Sequence, residues 1–267
     1  MDTTKLIQDY ARDGFISSVK LFSAAEAAVH RGELERAEAL LGPLHYQSKI
    51  HTILRSPYEL ATHPQLIDIV EKILGPDILL YNAVYIIKEP NTPNFVSWHQ
   101  DLTYWGFSDD DDQVSAWIAL SQATGESGCM QMIPGSHKRG MNKQVLTDDP
   151  NNVLYLGQTI VDVCDDDSIL CPLNPGEASL HHGWTVHSST ANKSKDRRIG
   201  LNIQYIRTSM YQQNSQSDSA LLIRGSDSFG HFEPDALPPN EIPPDAKERL
   251  AQQSQKIGQI TTKQSRI

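Results

Sequence analysis

Residues 176–206 read GEASLHHGWTVHSSTANKSKDRRIGLNIQYI. The two ends of this stretch, ASLHHGWTVHS and IGLNIQYI, are rich in strand-forming residues, and the Asn, Lys, Ser and Asp between them favour turns. In the second run Ile199, Leu201, Ile203 and Tyr205 share one face with Arg197, whereas Gly200, Asn202 and Gln204 share the other with Arg198. In this strand the polar face is read as lining a ligand cavity and the apolar face as packing against helices outside it, which favours Arg198 over Arg197 as the residue that faces a ligand. The run before it holds three imidazoles, His181, His182 and His187.

Working outward, the region from Ile78 to about Met210 holds further short β-rich runs, ILLYNAVYIIK, VSAWIAL, CMQMIP and SILCPL, separated by Gly, Pro, Asn and Asp clusters. Residues 1–75 read as mainly helical. Ser23 and Glu26 make a capping box that opens AAEAAVHRGELERAEALL, with a break expected near Gly32. After an extended link around Pro57, His63-Pro64 opens a helix with Leu66, Ile69, Val70, Ile73 and Leu74 on one stripe, closed by Gly75-Pro76. The predicted fold is mainly β with α, a double-stranded β-helix (a jelly roll of the cupin type) with N-terminal helices packed on the outside. One domain over 1–267 is expected, with helical support in 1–75, the jelly-roll core in 78–210, and a lid or arm in 211–267. That last segment carries LLIRGSDSFGHF, the proline-rich ALPPNEIPPDA and a weakly amphipathic AKERLAQQSQKI.

Composition narrows the function. The 267 residues are 39% hydrophobic and 21% charged, which supplies a full core. Twenty-three Lys and Arg against 33 Asp and Glu leave a net charge of −10, a field that repels nucleic acid and anionic lipid. No run of about 18 apolar residues is present to span a membrane, and the polar N-terminus has no apolar secretory core. Cys129, Cys164 and Cys171 are odd in number and lack CxxC spacing. They fit structural thiols in a reducing compartment, and a cytoplasmic location is expected.

The densest cluster of metal-ligand types is Trp98-His99-Gln100-Asp101. On a strand, positions i and i+2 project to one face, so His99 and Asp101 can offer an imidazole and a carboxylate to one ion. Such a pair alone is commonly a surface ion pair, and a third ligand is what it lacks. Two imidazoles and one carboxylate form the facial triad of non-haem Fe(II) oxygenases, which leaves open positions for co-substrate and dioxygen. The 181–187 run supplies that third ligand, with His187 and His182 as rivals.

Taken together, HPQLIDIVEKILGP, IIKEP, WHQDLTYW, VSAWIAL, SGCMQMIPGSHK and PGEASLHHGWTVHSSTANKSKDRRIGLNIQY resemble, in order and spacing, the phytanoyl-CoA dioxygenase family of Fe(II)- and 2-oxoglutarate-dependent oxygenases. The likeness covers roughly residues 10 to 210, and the tail lies outside it. It implies that His99, Asp101 and His187 are the iron ligands, and that Arg198 binds the distal carboxylate of 2-oxoglutarate with help from Ser189. A guanidinium suits that task because it meets a carboxylate through two parallel charge-assisted bonds. It also implies that Trp117 lies beside the co-substrate and that Lys49, in QSKIHTI, reaches it from the helical part. Halogenating relatives carry a small residue at the position of Asp101, so the carboxylate here implies oxygenation: hydroxylation of a small organic molecule, with dioxygen consumed and succinate and CO2 released.

Two other classes use the same ligand types. A cupin-type zinc or manganese isomerase or hydrolase has no need of Ser189 and Arg198, and a non-catalytic jelly-roll binding protein is expected to lose ligands. The acidic balance disfavours a coenzyme A partner, although Lys193, Lys195, Arg197 and Arg207 offer a local basic rim. The resemblance gives His137, in PGSHK, a structural turn; His30, His45, His51, His63 and His231 lack partners at ligand spacing, and the acidic runs 109–112 and 165–167 lack the alternation of a calcium loop.

Overall fold

The computed structural model describes residues 3–108, 112–154, 157–215 and 217–264. Asp109, Asp110 and Asp111 of the first acidic run lie outside them. The elements are helices α1 (Thr3–Asp13), α2 (Ala24–Leu41), α3 (Arg55–Ala61), α4 (Pro64–Leu74) and α5 (Ala246–Gln264). The strands are β1 (Phe15–Lys20), β2 (Ile78–Lys88), β3 (Val96–His99), β4 (Gln113–Ala119), β5 (Met130–Met132), β6 (Gln144–Leu146), β7 (Gln158–Ile160), β8 (Ile169–Cys171), β9 (Glu177–His182), β10 (His187–Ser189), β11 (Arg198–Arg207), β12 (Ser219–Arg224) and β13 (Glu233–Pro234).

Seven strands form one sheet in the order β1-β9-β4-β11-β2-β12-β13, four form a second in the order β3-β10-β5-β8, and β6 pairs with β7. The chain steps back and forth between the two larger sheets: β2 lies in the first, β3 in the second, β4 in the first and β5 in the second, and β9, β10 and β11 repeat the alternation. That connectivity is a double-stranded β-helix, a jelly roll. β4 is buried along its whole length, and β2 and β11 nearly so. Strands buried on both sides carry near-continuous apolar runs, as ILLYNAVYIIK does.

The capping box is present: Ser23 N donates to Glu26 Oε2 at 2.8 Å, and Glu26 N donates to Ser23 Oγ at 3.2 Å. Four readings change. Helix α2 runs unbroken through Gly32. One helical glycine costs about 1 kcal/mol, and the cap, the Arg31–Glu35 pair at 2.8 Å and burial of Leu34 and Ala37 offset it. Pro57 lies in the first turn of α3, where its missing N–H has no helical partner to lose. The N-terminal region also contains a strand, β1, antiparallel to β9 with Phe15 opposite His181. Its short FISSVK run becomes a strand through a partner far along the chain. Finally, only His99 of the His-x-Asp pair is on a strand: β3 ends there, and Asp101 opens a 3-10 turn.

The chain divides into two units. The first comprises Met1–Ala28, Ile87–Thr103 and Ile118–Gly200, and the second Val29–Ile86, Tyr104–Trp117 and Leu201–Ile267. The first holds the four-stranded sheet, where β10 pairs with β3 and with β5, and β5 with β8. In the second, Tyr205 on the apolar face of β11 donates to Ala61 O of α3 at 2.7 Å. The tail is built into this second unit. β12 pairs antiparallel with β2, with Leu221 opposite Leu80, and β13 runs parallel to β12. Arg224 bonds Glu71 and Asp68, while Arg249 and Gln253 of α5 donate to Thr52. Among the described residues no helix is long and apolar enough to cross a membrane.

Candidate metal centre

The site lies in the first unit. Antiparallel pairing of β3 with β10 sets His99 opposite His187, and their ring centroids stand 4.0 Å apart. Asp101, two residues past the strand end, turns its carboxylate back: Oδ1 is 3.6 Å from His99 Nε2 and 3.7 Å from His187 Nε2. One ligand atom from each of the three side chains, all buried, lies within 4.8 Å of the other two.

The surroundings prepare these atoms for a cation. His99 Nδ1 is 2.9 Å from Ser97 O, and His187 Nδ1 is 2.9 Å from Thr185 O. A carbonyl only accepts, so each Nδ1 carries the proton and each Nε2 keeps its lone pair for a metal. Burial pushes the His187 imidazole well below its ordinary range; the nearby rings of His99 and His181 push the same way, against the pull of Asp101. Burial opposes ionisation of Asp101, yet the hydrogen bond from His181 and the surrounding imidazoles outweigh it, holding the carboxyl well below the usual range. A buried carboxylate held in its ionised form, with the Nε2 atoms of two imidazoles turned to it, is a donor set that fits a divalent transition metal.

His182, the rival ligand, is engaged elsewhere. Its Nδ1 accepts from Trp184 N at 3.0 Å, and its ring lies 5.3 Å from that of His137. His181 instead reaches the carboxylate, with Nε2 3.2 Å from Asp101 Oδ2. The signal for this was strand alternation, since adjacent histidines on β9 point to opposite faces.

Ser189 and Arg198 are both buried, at 5% and 1% exposure. A lysine missed in the sequence joins them. Lys88 Nζ donates to Ser189 Oγ at 2.7 Å, to Ser189 O at 3.0 Å and to Thr190 O. Burial, reinforced by the charge of Arg198, pushes the Lys88 ammonium down to about 6. The visible clue was a charge closing an apolar eleven-residue strand. Arg197, by contrast, pairs with Glu89 at 2.9 Å on the surface. Trp117 and Lys49 lie in the second unit. Trp117 is buried on β4, while Lys49 donates to Tyr81 O, Ser219 O and Asp235 Oδ2, which occupies its three N–H groups. His51 lies 3.5 Å from the same Asp235 carboxylate.

A jelly roll carrying a buried His-Asp-His triad of this kind is the arrangement of the non-haem Fe(II)/2-oxoglutarate class, whose cofactors are Fe(II), 2-oxoglutarate and dioxygen. Within it, residues 10–200 match the family model for phytanoyl-CoA dioxygenase, and the chain belongs to that family. A phytanoyl-CoA dioxygenase domain-containing protein 1 of Danio rerio is 32% identical over 145 residues, 53% of this chain and 50% of the relative. The 1-deoxypentalenic acid 11-beta-hydroxylase of Streptomyces arenae is 28% identical over 150 residues, 52% of this chain and 51% of the relative. The chain thus spans about half the length of these curated relatives. Among solved structures, the apo form of ThoJ, a non-heme monooxygenase, superposes with a TM-score of 0.84 at 27% identity, covering 97% of this chain and 99% of that one.

Proposed function

We propose that the protein is an Fe(II)- and 2-oxoglutarate-dependent dioxygenase that hydroxylates, or otherwise oxidises, a free small organic molecule and releases succinate and CO2. The observation that carries this reading is the triad itself, two imidazoles locked by backbone carbonyls with their Nε2 atoms turned to one ionised, buried carboxylate oxygen. His99, Asp101 and His187 hold the iron. Arg198 takes the distal carboxylate of 2-oxoglutarate, and Ser189, its hydroxyl accepting from Lys88, keeps its own proton to donate to the same carboxylate. When bound, the metal and 2-oxoglutarate supply the activation of dioxygen. Of the basic rim expected for a coenzyme A partner, Arg197 and Arg207 are paired with Glu89 and Asp112, which supports a small, free substrate.

Anaerobic addition of Fe(II) and 2-oxoglutarate is expected to produce a visible charge-transfer band, and a substrate library read by succinate formation to reveal turnover. His187→Ala loses the band and His182→Ala keeps it. Metal binding without any dependence on 2-oxoglutarate selects the cupin-type isomerase or hydrolase, and binding of neither leaves a non-catalytic jelly roll. The co-substrate role that the family likeness gives Trp117 is tested by Trp117→Phe in the same titration.

A further inference from the structure

Asp101 has two carboxylate oxygens with different neighbours. Oδ1 faces the Nε2 atoms of His99 and His187, whereas Oδ2 lies 3.2 Å from Nε2 of His181, whose side chain is 1% exposed. An ionised carboxylate only accepts, so the proton in this contact belongs to His181 Nε2. Its Nδ1 has no hydrogen-bond partner among the described residues. The donating nitrogen is therefore the opposite one from that of His99 and His187, which donate from Nδ1 to carbonyls.

We infer that His181 is a positioning residue: it holds Oδ2 by a hydrogen bond and reserves Oδ1 for the metal, so that Asp101 takes one coordination position and not two. The inference rests on the reading of His99, Asp101 and His187 as metal ligands. Its own support is geometric. Pairing of β9 with β1 at Phe15 fixes the backbone of His181, and the ring packs 4.5 Å from that of His187. A rigid donor held on a strand orients a ligand carboxylate, and loss of such a partner typically costs 10–100-fold in metal affinity.

The test uses the full chain and anaerobic titration with Co(II), whose absorption bands report coordination number. His181→Phe keeps a planar ring without a donor and is expected to weaken Co(II) binding by roughly 10–100-fold and to alter the bands. His181→Gln restores an N–H donor and is expected to bind within a few-fold of the parent. His99→Ala is the control for the triad: if it binds Co(II) like the parent, the ligand reading fails. If His99→Ala loses binding while His181→Phe keeps parental affinity and spectrum, the ligand reading stands and the positioning role is overturned. Loss of binding in both His181→Phe and His181→Gln to the level of His99→Ala makes His181 a ligand and also overturns it. Should His181→Phe fail to fold, nitrogen-15 histidine spectra of the metal-free parent decide. A proton on His181 Nε2 supports the inference, and its absence from Nε2 overturns it.

Discussion

Arg197 and Arg198 are adjacent in sequence and opposite in circumstance. Arg198 is 1% exposed, whereas Arg197 lies on the surface against Glu89. Replacing Arg198 with Lys keeps the charge and removes the planar fork, so anaerobic 2-oxoglutarate affinity is expected to fall by about 1.5–3 kcal/mol, the worth of a charge-assisted bond. Arg197→Lys is expected to change it by less than about 0.5 kcal/mol, as exposed pairs contribute little. Equal effects in the two titrations would mean that the co-substrate is held by the other face of β11. The same distinction governs the adjacent histidines of β9, one bonded to Asp101 and one to Trp184 N.

At the scale of elements, the strand carrying His187 and Ser189 is held by its neighbours at both ends. Its pairing with β3 and β5 fixes the register, and a slip of one residue would turn His187 away from His99. Beyond its end, Thr190 O accepts from Lys88 and also lies against Gly128, where an added Cβ would sit 2.2 Å from that oxygen. Gly128 has φ +73°, a region that other residues enter only at a cost. Gly128→Ala therefore meets both backbone strain and a collision with a main-chain atom. It is expected to destabilise by about 2 kcal/mol or more in urea unfolding, and to weaken 2-oxoglutarate binding by displacing the Lys88–Ser189 contact. Unchanged unfolding would show that the loop yields freely.

Over the whole chain, the segment beyond Met210 is a structural part of the second unit. Lys49, 2% exposed, binds Ser219 O and Asp235, and β12 extends from β2. Burial raises the Asp235 carboxyl, but His51 and Lys49 outweigh this and hold it below the usual carboxylate range. A carboxyl whose folded value is depressed contributes stability above its unfolded value of about 4 and loses it as the pH falls towards the folded value. Asp235→Asn leaves a buried ammonium without its counter-charge and is expected to cost about 3–5 kcal/mol at pH 7. In urea unfolding the gap between parent and variant narrows as the pH drops below about 4. A gap independent of pH would show that the ion pair is not its origin.

What the sequence by itself determined is whatever depends on neighbours within a few residues or on a period. The capping box at Ser23 and Glu26, the helix from Pro64 to Leu74, the span of β2 and the phase that separates Arg198 from Arg197 are all of this kind. The ligand types were legible too, because a metal needs imidazole and carboxylate wherever the chain runs. Tertiary structure alone decided the rest. Which histidine of 181, 182 and 187 stands beside His99 depends on the register of β10 against β3, a pairing between residues far apart in sequence. FISSVK is a strand because β9 lies beside it, and Lys88 and His181 gain their roles from side chains 101 and 80 residues away along the chain, respectively. Hydrogen bonds of that range leave no periodic trace in the residues that make them, since each partner is chosen by the fold that brings it near.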